Sequence, residues 1–146
     1  MNAVDRTRLR VRYAETDQMG RAHHAAYLVW MELGRTSLMR RHGISYAELE
    51  ASGLLLPVSR VELEYRRGAR FEDPVEVRTR VAAVRSRSVA FEYEIVAADG
   101  DEMTVARGRT ELVCTDAVGR PRRLPEALRE TLSGMATETK TGTDEG

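Results

Sequence analysis

The sequence predicts an α+β fold: a five-stranded antiparallel sheet wrapped around one long central helix. Three observations lead there. Five segments alternate apolar and polar residues with period two, the mark of strands with one buried face. One segment, His23 to His42, instead carries Tyr27, Met31, Gly34 and Leu38 at helical 4, 3, 4 spacing. The connections between the later strands are short and rich in turn residues, which suits neighbouring antiparallel strands and not βαβ crossovers. The order is strand, long helix, four strands, so a single helix has to cover the apolar side of the whole sheet.

Each element has its own signal. Leu9, Val11 and Tyr13 alternate with Arg8, Arg10 and Arg12 in a first, half-exposed strand. Ala14 to Ala22 is polar, contains Gly20, and reads as a loop. The first half of the helix, AAYLVWM, is apolar all round and needs covering on most sides. The second half, GRTSLMRRH, is amphipathic, and Gly43 stops it. Ser45, with Glu48 three residues later, caps a shorter helix that Gly53 closes. The remaining strands carry Val61, Leu63 and Tyr65, then Val75 to Val81, then Val89 to Ile95, then Ala106 to Cys114. The segments RRGARFEDP, RSRS and AADGD read as hairpins, the last with an Asp99-Gly100 turn. Leu124 to Leu132 forms a short C-terminal helix. The domain spans 1–133, and the polar segment 134–146 is expected to be disordered.

Composition narrows the function classes. A chain of 146 residues fits one domain, and with 42% hydrophobic but 5% aromatic residues its core is mainly Val, Leu, Ala and Met. Basic and acidic residues number 23 each, so bulk attraction to nucleic acid is not expected. All the basic residues but Lys140 are arginine, whose planar fork suits phosphates, although a biased composition explains the excess equally well. Cys114 is the single cysteine and cannot form an internal disulfide, which fits a reducing compartment. The opening residues hold no secretory signal, and no apolar run of about 18 residues offers a membrane span. The expected location is cytoplasmic.

The stretch VRYAETDQMGRAHHAAYLVWMELGRTSLMRRHG resembles the signature of the 4-hydroxybenzoyl-CoA thioesterase-like hot-dog-fold family. There a strand runs into a D-x-x-G-x-(V/A)-x-H/Y-x-N-Y loop that opens the central helix. Asp17, Gly20, Ala22, His24 and Tyr27 occupy those positions. LEYRRGARFEDPVEV and VRSRSVAFEYEI are similar to later strand connections of the family, and the resemblance runs from about residue 8 to about 115. One departure is Ala26, where the family usually has Asn; it bears on substrate more than on reaction class. The resemblance implies an acyl-CoA thioesterase that assembles as a homodimer or homotetramer. It also implies coenzyme A phosphates near the basic turn Arg85, Ser86, Arg87 and Ser88, whose plainer reading is a solvated turn.

Thioester hydrolysis needs a group that activates water or attacks the carbonyl carbon, and another that stabilises the developing oxyanion. The chain has no Gly-x-Ser-x-Gly elbow, and Cys114 lies in a strand with no evident base. Asp17 is the best-placed carboxylate, as general base or as nucleophile through a mixed anhydride; its plain alternative is a loop or capping aspartate. No Ser, Thr, Asp or Asn immediately precedes the helix start, which leaves N–H groups there, notably that of His24, free to face a thioester oxygen. Water or Asp17 itself could cap that end instead. His23 and His24 line the acyl pocket, hold Asp17, or serve an interface. As adjacent helical residues they diverge by about 100° and lack a third ligand at a metal spacing, so neither metal nor cofactor is expected. Gly20, His23 and Tyr27 complete the substrate-binding set with the Arg85–Ser88 turn. Glu32 is the second carboxylate candidate, but Arg35 at i+3 makes an ion pair its plainer use. Two rival functions remain: an acyl-thioester hydratase or dehydratase, and a non-catalytic acyl-CoA-binding module.

Overall fold

The alternating segments become the strands of one sheet in a computed structural model that describes residues 4–136. The elements are β1 (Asp5–Arg10), a 3-10 turn (Tyr13–Glu15), α1 (Ala26–Arg41), α2 (Tyr46–Ala51), β2 (Val58–Tyr65), β3 (Pro74–Val84), β4 (Ser88–Ala97), β5 (Thr104–Val113) and α3 (Glu126–Met135). The sheet is antiparallel in the order β1-β3-β4-β5-β2. Its inner face presents Val75, Val77, Val81, Phe91, Ile95 and Leu112, all buried, to the Tyr27, Trp30, Met31 and Leu38 face of α1. Gly34 sets how closely the helix approaches: a Cβ there would collide with the side chains of Thr79 and Val77. The expected α+β arrangement of five strands around a long helix is the one observed.

The outer face explains much of the arginine excess. Glu92 lies between Arg80 at 2.9 Å and Arg109 at 2.8 Å. Glu76 takes Arg6 and Arg8 at 3.0 Å and Arg78 at 2.7 Å. Burial pushes the Glu76 carboxyl up, but hydrogen bonds from Arg78, Arg8 and Arg6 overcome this and hold it below the usual carboxylate range. Cross-strand pairs of opposite charge stabilise a solvated sheet face.

Several expectations need correcting. β1 ends at Arg10, and Tyr13 sits in the 3-10 turn with 77% exposure. The alternation runs past the strand because the Glu15 carboxylate draws the Arg12 N–H into a turn at 2.9 Å. Helix α1 starts at Ala26, three residues after His23. RRGARFEDP is not a hairpin: β2 pairs with β5, so this segment carries the chain from one edge of the sheet to the interior strand β3. The other two short connections do join neighbours, β3 to β4 and β4 to β5. Ser45 caps α2, accepting the Glu48 N–H at 3.2 Å. Helix α3 continues to Met135, two residues into the expected tail, and residues 137–146 lie outside the described region. One helix does not cover five strands completely: Leu28, Val29 and Leu33 on α1 and Val58, Val61 and Tyr65 on edge strand β2 remain exposed. Among the described residues no helix is long and apolar enough to cross a membrane.

Candidate active site

The loop between β1 and α1 is held at Glu15. Its Oε1 accepts the Arg12 backbone N–H at 2.9 Å, and its Oε2 accepts the Arg12 guanidinium at 3.2 Å and the Trp30 indole N–H at 3.1 Å. Burial pushes this carboxyl up; the bonds from Arg12 and Trp30 outweigh it and leave Glu15 below the ordinary carboxylate value. The Glu15 carbonyl also accepts the His23 N–H at 2.7 Å. Glu15 therefore ties the loop to a fully buried residue of the helix. Nothing in its sequence context marks it, since its partners lie up to 15 positions away.

Two residues on, Asp17 closes a tight turn on itself. Its Oδ1 accepts the N–H of Met19 at 2.9 Å and of Arg21 at 3.2 Å, and its own N–H donates to the Arg21 carbonyl at 2.7 Å. Gly20 takes φ +78°, where a side chain would be strained, so its role in the loop is conformational. The chain repeats this turn after β5. Asp116 Oδ1 accepts Val118 and Arg120 N–H groups at 3.0 and 2.9 Å, with Gly119 at φ +93°. The two turns differ at the second carboxylate oxygen. Asp116 Oδ2 pairs with Arg120 at 3.3 Å and Arg122 at 2.9 Å. With the Arg120 backbone hydrogen bond as the largest cause, that carboxyl is held below its ordinary range. Asp17 Oδ2 has no partner among the described residues. Asp17 instead lines a cavity of about 330 Å³ with His24, Tyr27, Tyr65, Arg66 and Arg67.

The same cavity meets the start of the helix. The His23 N–H goes to Glu15, the His23 carbonyl takes the Ala26 N–H at 2.9 Å, and the Ala25 carbonyl takes the Leu28 N–H at 3.2 Å. The Ala25 N–H donates to Nδ1 of His23 at 3.1 Å, and the His24 carbonyl accepts the Tyr65 hydroxyl at 2.8 Å. Buried and semi-buried backbone groups are nearly always paired. Over this stretch the N–H groups of exposed His24 and of Tyr27 donate to nothing among the described residues. The helix has no side-chain cap and no acid in its first turn, so the positive end of its dipole stays uncompensated. His23 thus acts within the backbone of the turn, its ring stacked on that of His24 with centroids 4.1 Å apart. Neither ring holds Asp17. Among the described residues no group of His, Cys, Asp or Glu could hold a metal ion. Tyr27 is buried at the base of the cavity, packed on Trp30 and Tyr65.

Other candidates lie elsewhere. Glu32 is exposed and does not line the cavity, and the ion pair expected with Arg35 does not form. Arg35 reaches inward from the core side of α1, its Nη1 lying 3.4 Å from the Tyr93 hydroxyl, which is bonded to Thr110 at 2.6 Å. Cys114 is buried, and burial pushes its thiol up, away from nucleophile chemistry. The turn Arg85–Ser88 closes through the Arg85 N–H to the Ser88 carbonyl at 2.8 Å. It sits at the Val84 end of β3, whereas the Arg21–Arg70 bridge and the Val11–Asp73 hydrogen bond place the Asp17 loop at the Pro74 end. At about 3.3 Å per residue the strand between them is roughly 35 Å long. The segment after β5 packs on this turn, Cys114 N–H to the Arg87 carbonyl and Leu124 N–H to the Ser86 carbonyl, both at 2.8 Å. That brings Arg123 beside Arg85 and Arg87, and none of the three has a carboxylate partner among the described residues. The GRPRR run hints at a basic segment, but only the β5 geometry connects it to the turn.

Known proteins share this architecture over most of its length. The chain is 32% identical over 121 residues to the acyl-CoA thioester hydrolase YbgC of Escherichia coli, covering 82% of this chain and 89% of that protein. Among solved structures, a DHNA-CoA thioesterase from Staphylococcus aureus superposes with a TM-score of 0.88 at 29% identity, covering 97% of both chains. The hypothetical protein TT1821 from Thermus thermophilus superposes with a TM-score of 0.83 at 41% identity, covering 91% of this chain and 98% of that one. Residues 11–132 match the model of the thioesterase-like superfamily, a span that holds the Asp17 turn, the helix start and both later hairpins, and the chain belongs to that superfamily.

Proposed function

We propose that this protein hydrolyses an acyl-coenzyme A to the free acid and coenzyme A. The observation that carries this reading is one cavity lined by both Asp17, whose Oδ2 has no partner among the described residues, and His24, whose N–H has none either. A thioester carbonyl placed there meets a base or nucleophile on one side and a hydrogen-bond donor, backed by a helix dipole, on the other. As general base, Asp17 takes a proton from water as the water oxygen bonds to the carbonyl carbon. Collapse of the tetrahedral adduct breaks the C–S bond, and the thiolate leaves and is protonated. As nucleophile, Asp17 bonds to the carbonyl carbon, the C–S bond breaks as the coenzyme A thiolate leaves and is protonated, and water then opens the resulting mixed anhydride to the free acid and the Asp17 carboxylate. YbgC and the DHNA-CoA thioesterase carry names that place them in the same reaction class.

The substrate is bound between copies of the chain. Asp17 and the Arg85, Ser86, Arg87 and Ser88 turn lie at opposite ends of β3, farther apart than an extended pantetheine arm reaches, so the turn that holds the nucleotide phosphates comes from a neighbour. The exposed Leu28, Val29 and Leu33 stripe and the open β2 edge are the surfaces such a neighbour covers, in a homodimer or homotetramer. Gly20 shapes the loop, and Tyr27 and the His24 ring form the acyl end of the cavity.

The test is release of free thiol from a panel of aromatic, short-chain and long-chain acyl-CoAs. Turnover of any member supports the reading. Tight binding without turnover would leave an acyl-CoA-binding module, and hydration of an enoyl-CoA without thiol release would indicate the hydratase.

A further inference from the structure

Tyr65 closes the edge strand β2, and its hydroxyl reaches the His24 carbonyl at 2.8 Å across the cavity. Every other bond that fixes the backbone from His23 to Ala25 is either local or made by the main chain of Glu15. The Tyr65 bond is the one side-chain tether from a distant element. Packing does not demand the hydroxyl: the ring meets Tyr27 edge-on, with centroids 5.0 Å apart, a contact phenylalanine would make equally well. Nor does burial force the pairing, since Tyr65 is 46% exposed and water could serve its hydroxyl.

The tether's effect follows from peptide geometry. The His24 carbonyl and the His24 N–H belong to adjacent planar peptide units joined at one Cα. Pinning the carbonyl restricts rotation about that Cα, and on the other side the His23 carbonyl, which shares a peptide unit with the His24 N–H, is held by the Ala26 N–H. The His24 N–H between them is left with one direction to point. We propose that Tyr65 is a positioning residue for the reaction, holding the His24 N–H in line for the thioester oxygen. This rests on the hydrolase reading above and adds a residue to it. Burial raises the Tyr65 phenol above its ordinary value, so it stays a hydrogen-bond donor over the pH range of assays.

The test is Tyr65→Phe, which keeps the ring as a cavity wall and removes the tether alone. Deleting an oxyanion donor costs about 10²–10³ in kcat, and a donor that is present but misdirected should cost less, about tenfold, with KM unchanged. The pH profile should keep its shape. Unchanged kcat overturns the proposal. A raised KM at normal kcat makes Tyr65 a wall of the pocket only, and loss of the basic limb makes it a proton donor; both also overturn it. A second readout is independent of turnover. In 15N-labelled protein, Tyr65→Phe should shift the His24 and Ala25 amide signals and speed hydrogen exchange of the bonded Ala25 amide, leaving Met19 and Arg21 unmoved. If wild-type protein releases no thiol, the hydrolase reading fails, and unmoved His24 signals would still overturn the tether on their own.

Discussion

Replacing Asp17 separates its two roles, because each uses a different oxygen. Oδ1 holds the turn through the N–H groups of Met19 and Arg21. Oδ2 has no partner among the described residues, and Asp17 lines the cavity. Asn keeps an acceptor oxygen for the turn and loses the charge and the ability to take a proton. Ala loses both. A net hydrogen bond contributes about 1 kcal/mol, and water recovers part of that at a half-exposed turn, so Asp17→Ala should cost about 1–2 kcal/mol. For a domain of this size that is a fall of about 3–8 °C in Tm. Asp17→Asn should leave Tm nearly unchanged, while kcat falls about 10²–10⁴-fold in both variants. Substrate binding should persist, since the His24 N–H and the basic turn are untouched. The Asp116 turn is a control within the chain: Asp116→Ala should lower Tm and leave the turnover of folded protein unchanged. Calorimetry and thiol release on the same samples read both quantities. An Asp17→Asn protein that keeps most of its turnover would refute the assignment. So would one whose activity loss merely follows a Tm fall as large as that of Asp17→Ala.

Further outcomes are expected from the same assays. Arg85→Ala with Arg87→Ala should raise KM with little change in kcat, and Arg123→Ala should act in the same direction. The effect should vanish with a pantetheine thioester, and equal loss on both substrates would remove the phosphate role. Light scattering should give a multiple of the 16.4 kDa protomer, and a 16.4 kDa species under assay conditions would contradict the shared site. Glu15→Gln replaces one acceptor oxygen with an N–H₂ facing donors, and should lower Tm. The Glu15 carboxyl is depressed in the folded state, so its contribution is present above the unfolded value of about 4.3 and is lost as pH falls through the lower folded value. The Tm gap between wild type and Glu15→Gln should therefore close in acid, and a gap independent of pH would exclude the charge as its cause. Glu32→Gln should retain activity, and its inactivation beside an active Asp17→Asn would move the catalytic carboxylate to Glu32.

The fold was legible because its two periods do not overlap. Valines at 75, 77 and 81 and the Tyr27 to Leu38 stripe each report one buried face, and the faces meet. Strand order was not legible from connection length alone. Eight residues between β2 and β3 look like a hairpin, yet the edge of β3 facing away from β4 is already taken by β1, pairing from Asp5 to Arg10. β2 therefore docks on the free edge of β5, a choice made by strands far away in sequence. The Arg35 position failed for a related reason. A base at i+3 from an acid suggests a surface pair, but the helix turns Arg35 toward Tyr93 and leaves Glu32 outside. Local spacing gives proximity along a helix; which way a long side chain leans depends on what packs over it.

The site was legible only as far as a local motif can carry chemistry, and the repeated turn shows where that limit falls. Asp17-Gln-Met-Gly20-Arg21 and Asp116-Ala-Val-Gly119-Arg120 make the same backbone hydrogen bonds at nearly the same distances. The spacing of Asp, Gly and Arg therefore encodes a turn and nothing more. Reactivity is decided at the other carboxylate oxygen. Arg120 and Arg122 neutralise it in one turn, and in the other no cation pairs with it among the described residues and Asp17 lines a cavity instead. The proposed oxyanion donor follows the same logic by subtraction. The His24 N–H is available because Glu15, the His23 ring and Tyr65, which lies 41 residues away, have satisfied the groups around it. The turn and the helix start point to Asp17 and His24 in sequence, but which of their polar groups stay without a partner is set by residues far along the chain, and only the folded chain determines that.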